Sequence, residues 1–162
     1  MDIIYTKAIS DDINPIYELC KRLIEDYEQP DAIDYAKVLA WVRKKIERLI
    51  DEYTVIHVDG QKAGYYHFFK NDDGIFELDD LYIFPEFQNH GIGSEVIRKC
   101  CGSVHEPVML YVFVRNQRAI SLYERLGFKI VQMIGTSRYI MHLDNSQNPL
   151  AFNSQLRMEV SE

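Results

Sequence analysis

Hydrophobic residues recur at helical spacing over much of the first third of the chain, form strand-like runs in the middle, and alternate between the two patterns in the second half. A first strand is expected at residues 3–8, and apolar positions then recur at helical spacing over residues 13–24. Pro30 ends this stretch, and a second helical pattern runs over about residues 32–50, with Trp41 on its apolar side. The N-terminal third therefore predicts a strand followed by two helices.

The middle of the chain has the composition of strands. Two runs rich in aromatic and β-branched residues, 53–58 and 63–69, are joined by Asp59-Gly60, a dipeptide typical of hairpin turns. A polar turn at residues 71–74 leads to a third run over residues 75–84. These patterns predict three consecutive strands.

Helices and strands alternate in the second half. A helical apolar face comes first, and a continuous apolar run follows at residues 108–114, which is typical of a strand covered on both faces and paired in parallel. Asn116 and Gly127 are suitable start and end residues for a further helix. Residues 128–131 and 138–143 predict a closing pair of strands.

The expected order is β-α-α-β-β-β-α-β-α-β-β, without an internal repeat. It describes an α/β fold built on one mixed sheet with helices on both sides. A Rossmann nucleotide-binding domain is the rival, but it alternates strand and helix throughout, and the early hairpin counts against it. Residues 1–144 form one expected domain, and residues 145–162 form a tail that is disordered or adds a strand through Leu156, Met158 and Val160.

Composition argues against several classes of protein. The chain has 162 residues and 47% hydrophobic content, enough for one domain with a core, and no apolar run long enough to span a membrane. A net charge of −7 argues against nucleic acid as a partner. The N-terminus lacks a secretory signal, the three cysteines suggest no disulfide framework, and the five histidines have no metal-ligand spacing. A cytoplasmic protein without a metal is expected.

A turn with two glycines separates the third central strand from the following helix. Glycines allow close approach of the backbone, and the first amide groups of a helix lack partners inside it. The turn is therefore suited to an anion such as pyrophosphate. An ordinary tight turn explains the glycines equally well. The residues that such a site would use are Gln88, Asn89, His90, Gly91, Ile92, Gly93 and Ser94.

Two motifs in a fixed order carry a family resemblance. They are Gln88-x-x-Gly91-x-Gly93, preceded by Leu81-Tyr82-Ile83-x-Pro85, and then Asn116-x-x-Ala119-x-x-Leu122-Tyr123-x-x-x-Gly127-Phe128. Together they resemble the GCN5-related N-acetyltransferase superfamily, whose members transfer an acetyl group from acetyl-CoA to an amine. The resemblance is strong over about residues 77–128 and extends more weakly from the N-terminus to about residue 143.

The resemblance implies acetyl-CoA as the co-substrate. Its pyrophosphate would lie on the glycine turn, where the family often has a basic residue and this chain has Asn89 and His90. His90 would be a partial substitute or an exposed histidine without a role. Pantetheine would pair with the backbone of Leu81, Tyr82 and Ile83, and the Ile83 amide would bind the acetyl oxygen.

The helix of the second motif supplies two further residues by the same resemblance. Tyr123 would protonate the CoA sulfur or donate a hydrogen bond to it, although its spacing also suits a core aromatic residue. Asn116 would bind pantetheine or the end of the preceding strand, or would simply cap the helix. The expected transfer is direct, through a tetrahedral intermediate.

The acceptor amine has to lose a proton, because an amine with a pKa near 10 is only about one part in a thousand neutral at pH 7. Glu77 lies eleven residues before the glutamine of the turn, where many family members have a catalytic glutamate. Asp79 is an alternative base or an anchor for the amine. Strand alternation is expected to place both acids on one face with Leu81 and Ile83, and Asp80 on the other. Alternatively, the acids lie at an exposed strand end or bind a loop amide.

The expected acceptor is a small primary amine, such as a polyamine, amino sugar, aminoglycoside or amino acid, with a protein N-terminus or lysine as the second choice. A non-catalytic acyl-CoA sensor would need neither Glu77 nor Tyr123, and an unrelated nucleotide-binding protein would bind NAD or ATP. Dimers are common in the family, so a homodimer is a further expectation. Five residues would line the acceptor pocket or pack in the core: Tyr27, Trp41, Tyr65, Tyr66 and His67.

Overall fold

A computed structural model of the protein describes residues 1–146. Its helices and strands follow the predicted order, which confirms the α/β fold with a mixed sheet. The elements are β1 (Ile3–Lys7), α1 (Ile13–Tyr27), α2 (Tyr35–Leu49), β2 (Tyr53–Val58), β3 (Gln61–Lys70), β4 (Phe76–Ile83), α3 (Ile92–Gly102), β5 (Val108–Phe113), α4 (Gln117–Arg125), β6 (Lys129–Ile134) and β7 (Arg138–Leu143).

The sheet has the strand order β1-β2-β3-β4-β5-β7-β6 and is split in its middle. Its one parallel pair, β4 with β5, is bonded at Phe76–Val108 and Glu77–Met109 and then diverges. β4 nevertheless continues beside β3 as far as Ile83. The sheet is therefore open between the later part of β4 and β5, and this opening positions the candidate site.

The apolar run of β5 pairs differently from the sequence prediction. All six of its residues pair antiparallel with β7, whereas the parallel pairing covers two positions. Tyr111 on this strand is 45% exposed. The predicted parallel pairing is thus present but short, and the expected cover on both faces is incomplete at Tyr111. A run of apolar residues does not record which neighbours a strand has or how far it pairs with each.

Two hydrophobic cores lie on opposite faces of the sheet. The larger core contains α3 and α4 residues such as Val96 and Ile120, and the smaller contains α1 and α2 residues such as Ile16 and Ile46. Trp41 was predicted on the apolar side of α2 but is 63% exposed. The helices thus cover both faces, as predicted.

A bulge in β4 changes which side chains share a face. Tyr65 faces Tyr82 and His67 faces Asp79, so three steps along β4 match two steps along β3. The extra residue is accommodated at Asp80, whose φ of 51° is left-handed. A single inserted residue exchanges the two faces for everything that follows it.

The face assignment predicted for β4 was wrong for this reason. Leu81 and Ile83 pack against the α3–α4 core, on the opposite side from Asp79. Asp80, predicted to point away from Asp79, contacts the same lysine of α2 as Asp79 does. Simple alternation fails here because it assumes extended backbone at every residue.

Asn145, just after β7, is tied to the C-terminal end of α3 and the residues that follow it. The side chain of Asn145 is 5% exposed, and its amide donates to the Cys101 carbonyl at 2.8 Å and to the Val104 carbonyl at 2.6 Å. The first residue of the predicted tail is thus packed against the domain. The expected strand at Leu156–Val160 lies outside the described residues.

Within residues 1–146, no helix is both long and apolar enough to cross a bilayer. In the same part of the chain, no three histidine, cysteine, aspartate or glutamate side chains come together as potential metal ligands.

Candidate active site

A cleft of about 530 Å³ lies where the sheet opens. The end of β4, the N-terminal end of α3, the length of α4 and the later part of α1 enclose it. Ten of the eleven residues predicted to bind the co-substrate line the cleft, and His90 does not. Of the predicted catalytic residues, Tyr123 lines the cleft, whereas Glu77 and Asp79 do not. The predicted residues that meet here are Leu81, Tyr82, Ile83, Gln88, Asn89, Gly91, Ile92, Gly93, Ser94 and Asn116.

The glycine turn is built by left-handed backbone. Asn89 has a φ of 65° and Gly91 a φ of 78°, and Gly91 is the cap residue from which α3 starts. The first-turn amide groups of α3 have no acceptor within the helix. The side chain of Gln88 donates to the Ile83 carbonyl at 2.8 Å, which fixes the turn to the end of β4.

Gly91 and Gly93 are glycine for different structural reasons. An added Cβ at Gly91 would meet nothing within 4 Å, so its backbone conformation is what requires glycine. At Gly93 an added Cβ would make ordinary contacts, 3.7 Å from Leu122 and 3.9 Å from Ile83. The protein itself therefore does not exclude a side chain at Gly93, and glycine leaves the helix N-terminus open to the cleft.

Arg118 on α4 supplies a positive charge that the sequence reasoning missed. Its guanidinium donates to Gln88 Oε1 at 3.2 Å and to Asn89 Oδ1 at 2.6 Å. His90 is exposed and contacts the Phe87 carbonyl of its own turn at 3.3 Å. Arg118 stands two residues after Asn116 in the second motif, but nothing in that spacing connects it to the glycine turn.

The end of β4 presents backbone groups to the opening. The Phe84 amide donates to the Ala63 carbonyl of the β3 side at 2.8 Å, so the Ile83 amide, one residue earlier, points the other way. Tyr82 directs its carbonyl at β3, where a Cβ on Gly64 would come within 2.1 Å of it. Gly64 thus permits close packing of the two strands, and the Ile83 amide is directed into the opening.

Tyr123 lies on α4, and Asn116 is the residue that caps its N-terminus. Asn116 Oδ1 accepts from the Ala119 amide at 3.2 Å, so Asn116 caps the helix and also lines the cleft. The ring of Tyr123 packs edge-on against Phe128 at 5.7 Å. Burial, together with the negative charge of Asp79, raises the pKa of Tyr123 to about 12. Its hydroxyl is therefore protonated at neutral pH.

Glu77 lies at the point where β4 and β5 separate, since it forms the last bonded pair with Met109. The side-chain amide of Asn71, in the loop before β4, donates to Glu77 Oε1 at 3.1 Å. This contact is the loop-amide contact that the sequence left open as an alternative. The carboxylate is partly exposed and stands at the apex of the opening.

Asp79 and Asp80 share Lys45 of α2. The lysine Nζ binds Asp79 Oδ2 and lies 3.3 Å from Asp80 Oδ2, and the Tyr53 hydroxyl donates to Asp80. Burial opposes ionisation of Asp79, but His67 and Lys45 outweigh it and lower its pKa. For Asp80, burial and the charge of Asp79 prevail and raise its pKa. An ionised, lysine-bound Asp79 has little tendency to accept a proton.

The aromatic residues proposed for an acceptor pocket separate into two groups. Tyr27 lines the cleft and stacks on Phe113 with ring centres 6.3 Å apart. The three consecutive residues on β3 are buried and pack in the two cores or against their neighbours, with exposures of 5% or less: Tyr65, Tyr66 and His67. Of the five candidates, Tyr27 therefore reaches the cleft.

Comparison with known proteins gives consistent matches. The acetyltransferase (GNAT) family model matches residues 11–128. An uncharacterized N-acetyltransferase of Methanocaldococcus jannaschii is 27% identical over 143 residues, which is 80% of this chain and 60% of that protein. This chain thus spans about 60% of the length of that relative.

Solved structures share the fold. PaiA N-acetyltransferase from Thermoplasma acidophilum, in complex with coenzyme A, has a TM-score of 0.62 and 23% identity, covering 88% of this chain and 99% of that one. A chimera of spermidine N-acetyltransferase SpeG from Vibrio cholerae and hSSAT has a TM-score of 0.65 and 17% identity, covering 91% and 98%. At these identities the likeness concerns the fold.

Proposed function

This chain belongs to the acetyltransferase (GNAT) family, as its motifs predicted, and we propose that it transfers the acetyl group of acetyl-CoA to a primary amine. One observation carries the proposal. A single cleft brings together an anion-binding turn, Arg118, a free strand edge and a protonated tyrosine. The turn and Arg118 suit phosphate binding, the strand edge suits placement of the thioester, and the tyrosine suits departure of a thiolate.

The amide groups from Gln88 to Ser94 and the guanidinium of Arg118 would hold the phosphates, because helix N-termini and arginine both favour phosphate oxygens. Pantetheine would extend along the open edge of β4. The Ile83 amide, which points into the opening, would donate to the acetyl carbonyl oxygen. Comparable donors in oxyanion holes contribute about 3–4 kcal/mol to transition-state stabilisation.

Tyr123 would stabilise the departing sulfur by donating a hydrogen bond and would keep its proton. A free thiol has a pKa of about 8.5, and the pKa of Tyr123 is about 12. Full transfer of the proton to the thiolate would therefore cost about 5 kcal/mol. The sulfur would take its final proton from solvent.

Glu77 is the better candidate for the base that accepts the amine proton. Its neighbour Asn71 is neutral, whereas Asp79 is paired with Lys45. The base would act through water, because Glu77 stands at the apex of the opening and outside the lining of the cleft. Asp79 would contribute its negative charge near Tyr123.

The proposed acceptor is a small primary amine. A net charge of −7 favours cationic molecules in general, and Tyr27 and Asp26 at the cleft offer an aromatic face and a carboxylate. The spermidine acetyltransferase chimera with the same fold is consistent with such a substrate. A protein N-terminus or lysine is the second choice.

Thermal unfolding with acetyl-CoA, CoA, NAD or ATP tests the co-substrate. A ligand at one hundred times its Kd adds about 2.7 kcal/mol to the free energy of unfolding, so acetyl-CoA and CoA should raise Tm by several degrees. NAD and ATP should not. Stabilisation by NAD alone would contradict the proposal.

Thiol release with a panel of amines then tests turnover. Tyr123→Phe should lower kcat by about 10- to 100-fold, since it removes a hydrogen bond to a charged leaving group. Tyr66→Phe makes the same chemical change in the buried part of β3 and should leave kcat nearly unchanged. Binding of CoA without turnover for any amine would instead indicate a non-catalytic acyl-CoA sensor.

A further inference from the structure

The left-handed bend at Asp80 is an unusual backbone conformation for a residue with a side chain. Its φ is 51°, and the bend inserts one extra residue into β4 opposite β3. Backbone of this kind is unfavourable for most residues other than glycine, although asparagine and aspartate adopt it more often than the rest, and it persists when surrounding contacts hold it. The bend is therefore held by its neighbours.

Lys45 is central to those contacts. Its Nζ binds Asp79 and lies 3.3 Å from Asp80, while the Tyr53 hydroxyl donates to the same Asp80 oxygen. The lysine side chain is 17% exposed, and the ring of Trp41 covers its ammonium group at 5.8 Å. Without this cation, two adjacent and partly buried carboxyl groups would lie side by side.

The bend decides where the following amides point. Because one extra residue exchanges the faces and hydrogen-bonding sides of a strand, straightening the bend would turn the Ile83 amide from the opening toward β3. Leu81 and Ile83 would lose their places against the α3–α4 core by the same change.

We propose that Lys45 is a positioning residue for acetyl transfer, which holds the bend at Asp80 and thereby directs the Ile83 amide toward the acetyl carbonyl. This inference rests on the proposed function. Lys45 lies on α2, outside both sequence motifs and outside the lining of the cleft, so it acts through β4 and without touching the substrate.

Lys45→Met and its control Lys62→Met test the role of the cation. Lys62 donates to the buried Asp12 at 2.9 Å on the same side of the sheet, but neither residue of that pair is itself left-handed. Lys45→Met should lower kcat at least about tenfold and leave the Kd for CoA within about threefold, because the phosphate site is separate. Lys62→Met should change neither value more than about twofold. Lys45→Arg should restore most of the lost kcat.

Substitutions of Asp80 test the backbone even if Lys45→Met fails to fold. Asparagine adopts left-handed backbone readily and can still accept hydrogen bonds, whereas alanine does neither. Asp80→Asn should keep kcat within about threefold of wild type, and Asp80→Ala should lose about tenfold or more. Equal kcat values for Asp80→Ala and wild type would overturn the inference.

Amide hydrogen exchange of residues 78–84 separates this inference from the proposed function. Lys45→Met should exchange at least about tenfold faster there than Lys62→Met, whether or not an amine substrate is known. If wild type has no turnover, the proposed function fails and exchange alone decides the role of Lys45. Unchanged exchange overturns the role of Lys45 in either case, even if kcat falls.

Discussion

Two carboxyl groups on the α1–α2 side of the sheet, the buried Asp12 and the partly buried Asp80, have the same kinds of partners and opposite electrostatic behaviour. Asp12 accepts from the Ile9 amide at 2.9 Å, from Lys62 at 2.9 Å and from the Tyr65 hydroxyl at 3.1 Å. Burial raises its pKa, but these donors outweigh burial and lower it overall. Because Lys62 and Tyr65 lie on β3, these hydrogen bonds connect the residue before α1 to that strand.

Asp80 also has a lysine and a tyrosine as partners, yet it shares Lys45 with Asp79. Burial and the charge of Asp79 raise its pKa, and its backbone is left-handed. The difference teaches that residue types alone do not define the role of a buried ion pair. One cation for one carboxylate stabilises the fold, whereas one cation for two holds a strained bend beside the candidate site.

The Asp12 cluster (Asp12, Lys62 and Tyr65) and the Asp80 cluster (Asp79, Asp80, Lys45 and Tyr53) should differ most in the stability lost when the lysine is replaced. Lys45→Met should lower the free energy of unfolding by about 3–5 kcal/mol, since it leaves buried carboxyl groups without their cation. Lys62→Met should cost about 1–2 kcal/mol, because the Lys62 side chain is 48% exposed and solvent weakens its pair with Asp12. Urea unfolding of both variants measures the two values, and equal losses would remove the distinction.

The second largest difference is expected in the free energy of unfolding when Asp12 or Asp80 is replaced by the neutral asparagine. Asp12→Asn should cost about 1–3 kcal/mol at pH 7, because it weakens three donated hydrogen bonds. Asp80→Asn should be neutral or stabilising by up to about 1 kcal/mol, because it removes a charge that the fold disfavours and keeps the left-handed preference. A loss for Asp80→Asn as large as that for Asp12→Asn would contradict the assigned pKa directions.

The pH dependence of these effects should also differ. Because the pKa of Asp12 is lowered by folding, Asp12 stabilises the fold at pH values above its ordinary pKa of 3.8. This stability is lost as the pH falls through the lower pKa of the folded state. The raised pKa of Asp80 has the opposite sign, so its penalty develops as pH rises from 3.8 through the higher folded value. Urea midpoints from about pH 3 to 7 should therefore show both asparagine variants approaching wild type at the acidic end.

The smallest expected difference concerns the two tyrosines. Tyr53→Phe should cost about 2 kcal/mol, because it removes a hydroxyl that donates to the Asp80 carboxyl group, which already shares its lysine with Asp79. Tyr65→Phe should cost about 1 kcal/mol, since Asp12 keeps the Ile9 amide and Lys62. Thermal unfolding of the two variants resolves this difference, and the reverse order would mean that Tyr53 contributes little to holding Asp80.

Local signals explain which parts of the site were predictable. Gly91 and Gly93 lie within one short turn between a strand and a helix, so their spacing locates the turn and makes it a candidate anion site. Asn116 and Tyr123 belong to one helix, where spacing also fixes relative position. The structure places both groups at the same cleft.

Contacts between distant elements explain the rest. Arg118 reaches the glycine turn, and Lys45 reaches β4, across 29 and 34 positions of sequence, respectively. No periodicity records such contacts. The bend at Asp80 inverted the predicted faces of Leu81 and Ile83, because a single left-handed residue cannot be distinguished from extended backbone in an Asp-Asp pair.

The amino-acid sequence by itself determined the order of helices and strands, the glycine turn and the family, because these depend on neighbours within a few residues or on motifs of fixed spacing. The tertiary structure decided the opening between β4 and β5, the charge beside the turn and the direction of the Ile83 amide. These features arise from packing and charge pairing between segments that fold together, so their cause lies in the whole domain.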